Sequence, residues 1–486
     1  MNLALVVLSH GRARCSAPAI GGSGEALDYA TVTEMLRRYA GCLAAAGIVC
    51  GDRIGLCLRD TADHLLLHYA VGLIGAVIVP IDHRWKELEK VSVARAFGCR
   101  LVVCEADDPA RGAVQHLVFT TEWRREAPFA GDVPDQDEMP LVLSLSSGTT
   151  GRPTGAIVSH RQFYERFISQ WAGMGFNAGD RFVLATPLYF GGGRSFAMSF
   201  LAAGGTVIFA PANKPMEIID TARREAATVL FAVPTQIQRM TAAWIGERPA
   251  MPALRRLVTS GAAIRAEDKR RAMDVLSPAL MDYYATSEGG GIAVLPPDEQ
   301  LAFPDSVGRP AFRVEIELVD EDGRAVPAGS VGRLRYRGPG VSTILVDADG
   351  QTRAGPADGW FMPGDLARIL PSGCVQLVGR VRDVIIRAGV NIYPAEIEAA
   401  LSAHSAVAEA AVFAVPDPDL GEAVAAAVVV RSGVTLDAAE LQEYVRARLA
   451  SYKVPQHVVF TEALPRNAGG KVLPADLASL FRVTAP

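Results

Sequence analysis

The stretch RIGLCLRDTADHLLLHYAVGLIGAVIVPI, residues 53–81, sets the fold class. Arg53 to Leu58 is a short apolar run of strand character. Residues 61–74 follow with helical spacing, and Ala76 to Ile81 is β-rich again. Two apolar strands joined by a helix-length crossover make the repeating unit of a parallel sheet buried on both faces. The alternation continues outward, with apolar runs at Leu101 to Cys104, Phe182 to Ala185, Val207 to Ala210, Val229 to Val233 and Leu257 to Ser260. Upstream, 31–46 has helical spacing. Met35, Leu36, Tyr39, Leu43 and Ala46 lie on or near one stripe, and Gly47 is the stop.

From about 306 to 380 the character changes. Short alternating strands at Arg313 to Val319, Gly332 to Arg337 and Val375 to Val378 are divided by Asp-Gly and Pro-Gly turns, which predicts a small antiparallel subdomain. Beyond Gly379 the pattern predicts a helix at Ala395 to Ala403, strands at Ala410 to Val415 and Ala423 to Val430, and a helix at Ala438 to Ala450. The expected architecture is α/β. A large N-terminal lobe, 1–379, holds mostly parallel sheets plus the small antiparallel subdomain. A small α+β C-terminal lobe, 380–486, is joined to it by a hinge at GRVRDVIIRAG.

Length and composition agree. At roughly 150 residues per domain, 486 residues allow about three domains or two large lobes. Apolar residues make up 50% and charged residues 21%, which supplies a core and excludes disordered and collagen-like classes. Lys plus Arg number 48 against 53 Asp plus Glu, and no long basic run occurs, so no nucleic-acid partner is expected. The seven cysteines are odd in number and lack CxxC or Cys/His spacing, which fits reduced thiols in a cytoplasmic protein. The apolar run Leu3 to Leu8 is too short for a signal peptide, and no basic segment precedes it. No stretch approaches the ~20 apolar residues of a membrane helix, so no membrane partner is expected.

The strongest local signal for chemistry is LSLSSGTTGRPTGAIVSH, residues 143–160. A strand-like run, Leu141 to Leu145, leads into Ser146, Ser147, Gly148, Thr149, Thr150 and Gly151. Such a loop exposes backbone N–H groups and hydroxyls, and glycine lets a phosphate come close. The GxxxxGK[ST] spacing of a Walker loop is absent. Taken alone, the segment supports no more than a Ser/Gly-rich turn.

Four further motifs follow in order: DYYATSE at 282–288, WFMPGD at 360–365, GRVRDVIIRAGVNIYPAEIE at 379–398 and LPRNAGGKV at 464–472. Together with the loop they resemble the adenylate-forming superfamily, the acyl-CoA synthetases and their relatives, over nearly the whole chain. The loop departs from the family's Ser/Thr-Ser/Thr-Gly-Thr-Thr-Gly-x-Pro-Lys-Gly at one position, where Thr154 replaces the lysine. In the second motif Ser287 stands for the family's threonine and Ala285 for its glycine. By the resemblance, Ser146 to Gly151 cradle the phosphates of ATP and Glu288 helps hold Mg²⁺. Ser287 sits by the α-phosphate, Tyr284 stacks near adenine, and Asp282 reaches the adenine amino group. Tyr283, Gly261 and Ala262 join the nucleotide site, and Asp365 and Arg380 bond the ribose. Gly389 lines the path of the thiol of coenzyme A, and Lys471 is the mobile catalytic lysine.

The resemblance implies activation of a carboxylic acid to an acyl-adenylate, then thioester formation with coenzyme A. The alternative acceptor is the thiol of a separate carrier protein. A nucleotide-binding protein without activity draws support from Thr154 alone. The acid pocket is carried over to Tyr189, Phe190, Gly192, Val233 and Ala285, with Phe190 where the family often has histidine. These small or apolar residues favour an uncharged aryl or short to medium acyl acid. Arg194 is read as a surface or structural arginine in preference to a partner for a second carboxylate. Glu396 and Glu398, in the first turn after Pro394, are read as structural.

Overall fold

The structure is a computed structural model that describes residues 1–22, 24–107, 114–146, 154–347, 349–387, 390–417, 419–466, 472–473 and 476–477, without the side chains at 146 and 391. The chain divides into two compact units. One comprises Met1–Pro304, Gly308–Glu315 and Tyr336–Phe361; the other comprises Asp305–Val307, Ile316–Arg335 and Met362–Pro486.

The first unit contains two large sheets, and residues 53–81 form the crossover expected of them. Arg53–Cys57 and Val77–Pro80 pair in parallel, with the helix Ala62–Leu73 between them in sequence. They sit in an eight-stranded sheet whose parallel run extends from Pro140–Ser146 to His116–Val118. Its other end is antiparallel, through Thr154–Ser159, Ile344–Val346 and Thr352–Ala354. The nine-stranded sheet repeats this plan. Six neighbouring strands, from Leu280–Thr286 through Arg256–Thr259, Val229–Ala232, Arg181–Leu184 and Thr206–Phe209 to Pro18–Gly22, are parallel, and antiparallel pairs lie towards both edges. The expected α/β class with mostly parallel sheets holds.

Local chemistry explains the boundaries. The helix Tyr29–Ala45 starts at Asp28, whose carboxylate accepts from the Thr31 N–H, and it buries Met35, Leu36, Tyr39 and Leu43 as the stripe predicts. It stops where Gly47 takes φ +79°, a conformation glycine adopts without strain. The run Leu3 to Leu8 belongs to a helix, Leu3–Ala13, an element outside the sequence expectation. Its cap is Asn2, whose side-chain amide also donates to the Gly72 and Pro134 carbonyls at 2.8 and 3.0 Å. The strand expected from Arg313 begins instead at Glu315, because Arg313 has φ +62°, outside the extended region.

The second unit holds a four-stranded antiparallel sheet, Glu315–Val319, Val331–Arg337, Asp365–Ile369 and Val375–Arg380. A five-stranded sheet centres on the long hairpin Val407–Asp417 and Gly421–Val430. The antiparallel subdomain, expected inside the lobe that ends at 379, therefore groups with the C-terminal segment. The strand Val375–Arg380 contacts the helix Pro394–Ser402, which ties residues before 380 to those after it. The last helix, expected to reach Ala450, spans Ala438–Arg446.

Glu396 pairs with Lys453 at 2.6 Å. Glu398 is partly buried and accepts from the Val412 N–H at 2.8 Å. Burial pushes its carboxyl up to about 7, with the Val412 N–H pulling the other way. A raised carboxyl pKa means that the folded protein holds its proton more tightly than the unfolded chain. The resulting penalty is absent below about pH 4.5, grows as pH rises to about 7, and is complete above that. Glu398→Gln keeps the acceptor without the charge. It should match wild type near pH 4 and exceed it by about 2 kcal/mol at pH 8, in urea denaturation across that range.

Candidate active site

The strand Leu280–Thr286 carries most of the DYYATSE motif and sets its directions by alternation. Tyr283 turns into the core, its ring edge-on to Phe196 at 5.7 Å and its hydroxyl accepting from Gln170 at 3.2 Å. That side chain is engaged in packing, away from the face that carries Asp282. Leu280, Asp282 and Tyr284 share the opposite face, and Tyr284 is half-buried there. Lys269, in the helix Ala266–Val275, reaches Asp282 Oδ2 at 2.5 Å and is itself only 1% exposed.

The second carboxylate oxygen of Asp282, Oδ1, has no partner among the described residues. Burial raises the carboxyl pKa, and the Lys269 charge opposes that rise. An orphaned, buried acceptor fits the amino donor expected there from the sequence.

After the strand, Ser287 and Glu288 are held by their backbone. Arg166, in the helix His160–Met174, donates from Nη1 to the Ser287 carbonyl at 3.2 Å, from Nη2 to the Glu288 carbonyl at 2.5 Å and from Nε to the Gly340 carbonyl at 2.8 Å. The Ser342 N–H also donates to the Glu288 carbonyl, at 2.8 Å. Sequence patterns give no sign of Arg166, since an arginine inside an amphipathic helix carries no signal of burial. The Glu288 carboxylate is half-buried and makes no ion pair among the described residues. No group of three or more His, Cys, Asp or Glu that could hold a metal occurs among them either. A single free carboxylate suits Mg²⁺, which is commonly held by one or two carboxylates together with substrate phosphates.

The Ser287 hydroxyl donates to the Leu145 carbonyl at 3.0 Å. Leu145 lies near the end of Pro140–Ser146, which pairs with Thr154–Ser159 so that Ser146 stands opposite Thr154. The DYYATSE turn and the root of the Ser/Thr/Gly loop are therefore adjacent. Ser147, Gly148, Thr149, Thr150 and Gly151 lie outside the described residues, as do Gly389, Lys471 and the side chain of Ser146.

Phe190 and Val233, carried over to the acid pocket, lie together beside Gly261, carried over to the nucleotide site. A Cβ on Gly261 would meet Phe190 Cζ at 3.7 Å and Val233 Cγ1 at 3.8 Å. A Cβ on Gly192 would stand 2.7 Å from the Phe231 ring, so only glycine lets the helix Gly191–Ala202 rest this close to the sheet. Ala285 packs at the margin of the core, and Ala262 is exposed. Tyr189 lies under the Arg84 guanidinium at 5.3 Å, and burial with the nearby Asp82 charge pushes its hydroxyl up to about 12. In the second unit, Asp365 and Arg380 are cross-strand partners, with Nε 3.0 Å from Oδ1.

The Arg166 clamp is testable. Arg166→Met leaves the Ser287 and Gly340 carbonyls without that donor, and Glu288 with Ser342 alone, and should lower stability by about 3 kcal/mol, read by calorimetry, with Arg166→Lys losing less.

Comparison with known proteins agrees with this geometry. The family model described as AMP-binding enzyme matches residues 9–344, and that of the AMP-binding enzyme C-terminal domain matches 396–471. A feruloyl-CoA synthase from Amycolatopsis sp is 32% identical over 480 residues, 97% of each chain. An indoleacetate–CoA ligase from Aromatoleum aromaticum is 30% identical over 478 residues, 93% of each chain. The crystal structure of ATP-bound MatB from Rhodopseudomonas palustris superposes with a TM-score of 0.90 at 28% identity, covering 99% of each chain. With both family models matched in chain order and relatives aligned along nearly its full length, the chain belongs to the AMP-binding enzyme family.

Proposed function

We propose that the protein is an acid:CoA ligase that uses ATP to convert a small aryl or short to medium acyl acid into an acyl-adenylate, then transfers the acyl group to coenzyme A. The observation that carries this reading is the junction of Ser287 with Leu145, beside the strand end from which the Ser/Thr/Gly-rich loop departs, with the Glu288 carboxylate next in the chain. The ligase relatives support the same activity.

Two anions, the acid and the α-phosphate, must approach each other before in-line displacement. Glu288 is the residue that would hold Mg²⁺, which when bound supplies charge neutralisation to the phosphate oxygens. Asp282 offers Oδ1 to the base, and Asp365 and Arg380 are proposed to hold the ribose. Lys471 is proposed to place its ammonium where charge develops on the reacting oxygens. The segment 380–486 is proposed as the moving part that carries Lys471 in for adenylation and withdraws it for attack by the thiol, with Gly389 on the thiol's path. None of the seven cysteines is in a disulfide, which supports a reducing, cytoplasmic setting.

Pyrophosphate exchange over a panel of acids tests the reading, and exchange with none of them would end it. Lys471→Ala should slow adenylation roughly 100- to 1,000-fold while thioester formation from preformed adenylate continues. Survival of adenylation in that variant would remove the role given to Lys471.

A further inference from the structure

Arg194 is not a surface residue: it is 2% exposed, near the start of the helix Gly191–Ala202. Its Nη1 donates to the carbonyls of Tyr189 at 2.9 Å and Leu188 at 3.3 Å. Its Nε has no partner, and the side chain forms no ion pair among the described residues. Nε and Nη2 make one edge of the guanidinium, an edge that can bind both oxygens of a carboxylate side by side. A Cβ on Gly191 would meet Nη2 and Ser144 Oγ at 3.9 Å and nothing nearer, so the backbone leaves room beside that edge.

Two histidines of the helix Ala62–Leu73 lie close enough to feel the Arg194 charge. His64 and His68 are fully buried with ring centroids 4.9 Å apart, on a helix whose other buried side chains are almost all apolar. Neither ring nitrogen of His64 is hydrogen-bonded among the described residues, nor is Nε2 of His68, while His68 Nδ1 contacts the His64 carbonyl at 2.8 Å. Burial holds both rings neutral, His64 falling to about 3, so His64 keeps one N–H and one lone pair, while His68 gives its N–H at Nδ1 to the His64 carbonyl and presents only a lone pair at Nε2. The helix Gly191–Ala202 also begins at Phe190 without a side-chain cap, leaving its first N–H groups for an anion.

We infer that the Nε and Nη2 edge of Arg194 receives a carboxylate that the acid substrate carries at the end remote from the one activated. Buried donors require acceptors, and the described residues supply none for Nε. The carbonyls that Arg194 does hold belong to Leu188 and Tyr189, next to Phe190 in the expected wall of the acid pocket. The inference rests on the ligase reading. It replaces the uncharged acid expected from the apolar walls with a dicarboxylic one.

The test uses the full-length enzyme and aryl and short acyl acids in matched sets, each bearing methyl, hydroxyl or carboxylate at the distal position. Pyrophosphate exchange gives kcat/KM for each. Wild type should favour the carboxylate member of a set. In Arg194→Leu the ratio of carboxylate to methyl kcat/KM should fall on the order of 100-fold, and Arg194→Lys should retain part of it. A ratio cancels losses common to both substrates, so a merely misfolded fraction does not imitate the result. Preference for the methyl or hydroxyl member in wild type, or an unchanged ratio in Arg194→Leu, overturns the inference and leaves the ligase reading standing. No exchange with any acid removes the ligase reading itself.

Discussion

A guanidinium buried without a carboxylate is tolerable only where carbonyl oxygens take its protons, and Arg166 meets that condition at all three of its nitrogens. The carbonyls of Ser287, Glu288 and Gly340 are fixed as a result. Burial lowers the arginine pKa, yet the group stays charged, so the clamp does not loosen at ordinary pH. The turn that presents Glu288 thereby acquires a rigid backbone while its carboxylate remains free for a ligand.

The rest of the site is arranged around ends of strands. Parallel strands deliver their C-terminal ends to one side of a sheet, where α/β proteins bind ligands. Asp282 and the 284–288 turn come from the nine-stranded sheet, and Leu145 from the eight-stranded one. Glycines at the start of the helix Gly191–Ala202 keep side-chain bulk out of the region, and Phe231 against Gly192 fixes the depth to which that helix settles.

Much of this was legible in the sequence because apolar periodicity and turn residues act locally. Residues 53–81 show it: strand, helix and strand fall close to their expected places. The helix Leu3–Ala13 was not, because it is short and what stabilises it is tertiary, through Asn2 bonded to Gly72 and Pro134. The motifs named Glu288, Ser287 and Asp282. No local pattern could reveal the burial of Arg166, Lys269 or Arg194, because elements distant in sequence decide whether a cation is covered.

Ser287 stands where the family pattern has threonine. A β-branched side chain has few choices about χ1, whereas a serine hydroxyl can turn among the staggered wells. In this structure the hydroxyl rests on the Leu145 carbonyl. A turn about χ1 would take the oxygen off that carbonyl without any backbone displacement, so one small side chain can undo this tie between the two sheets.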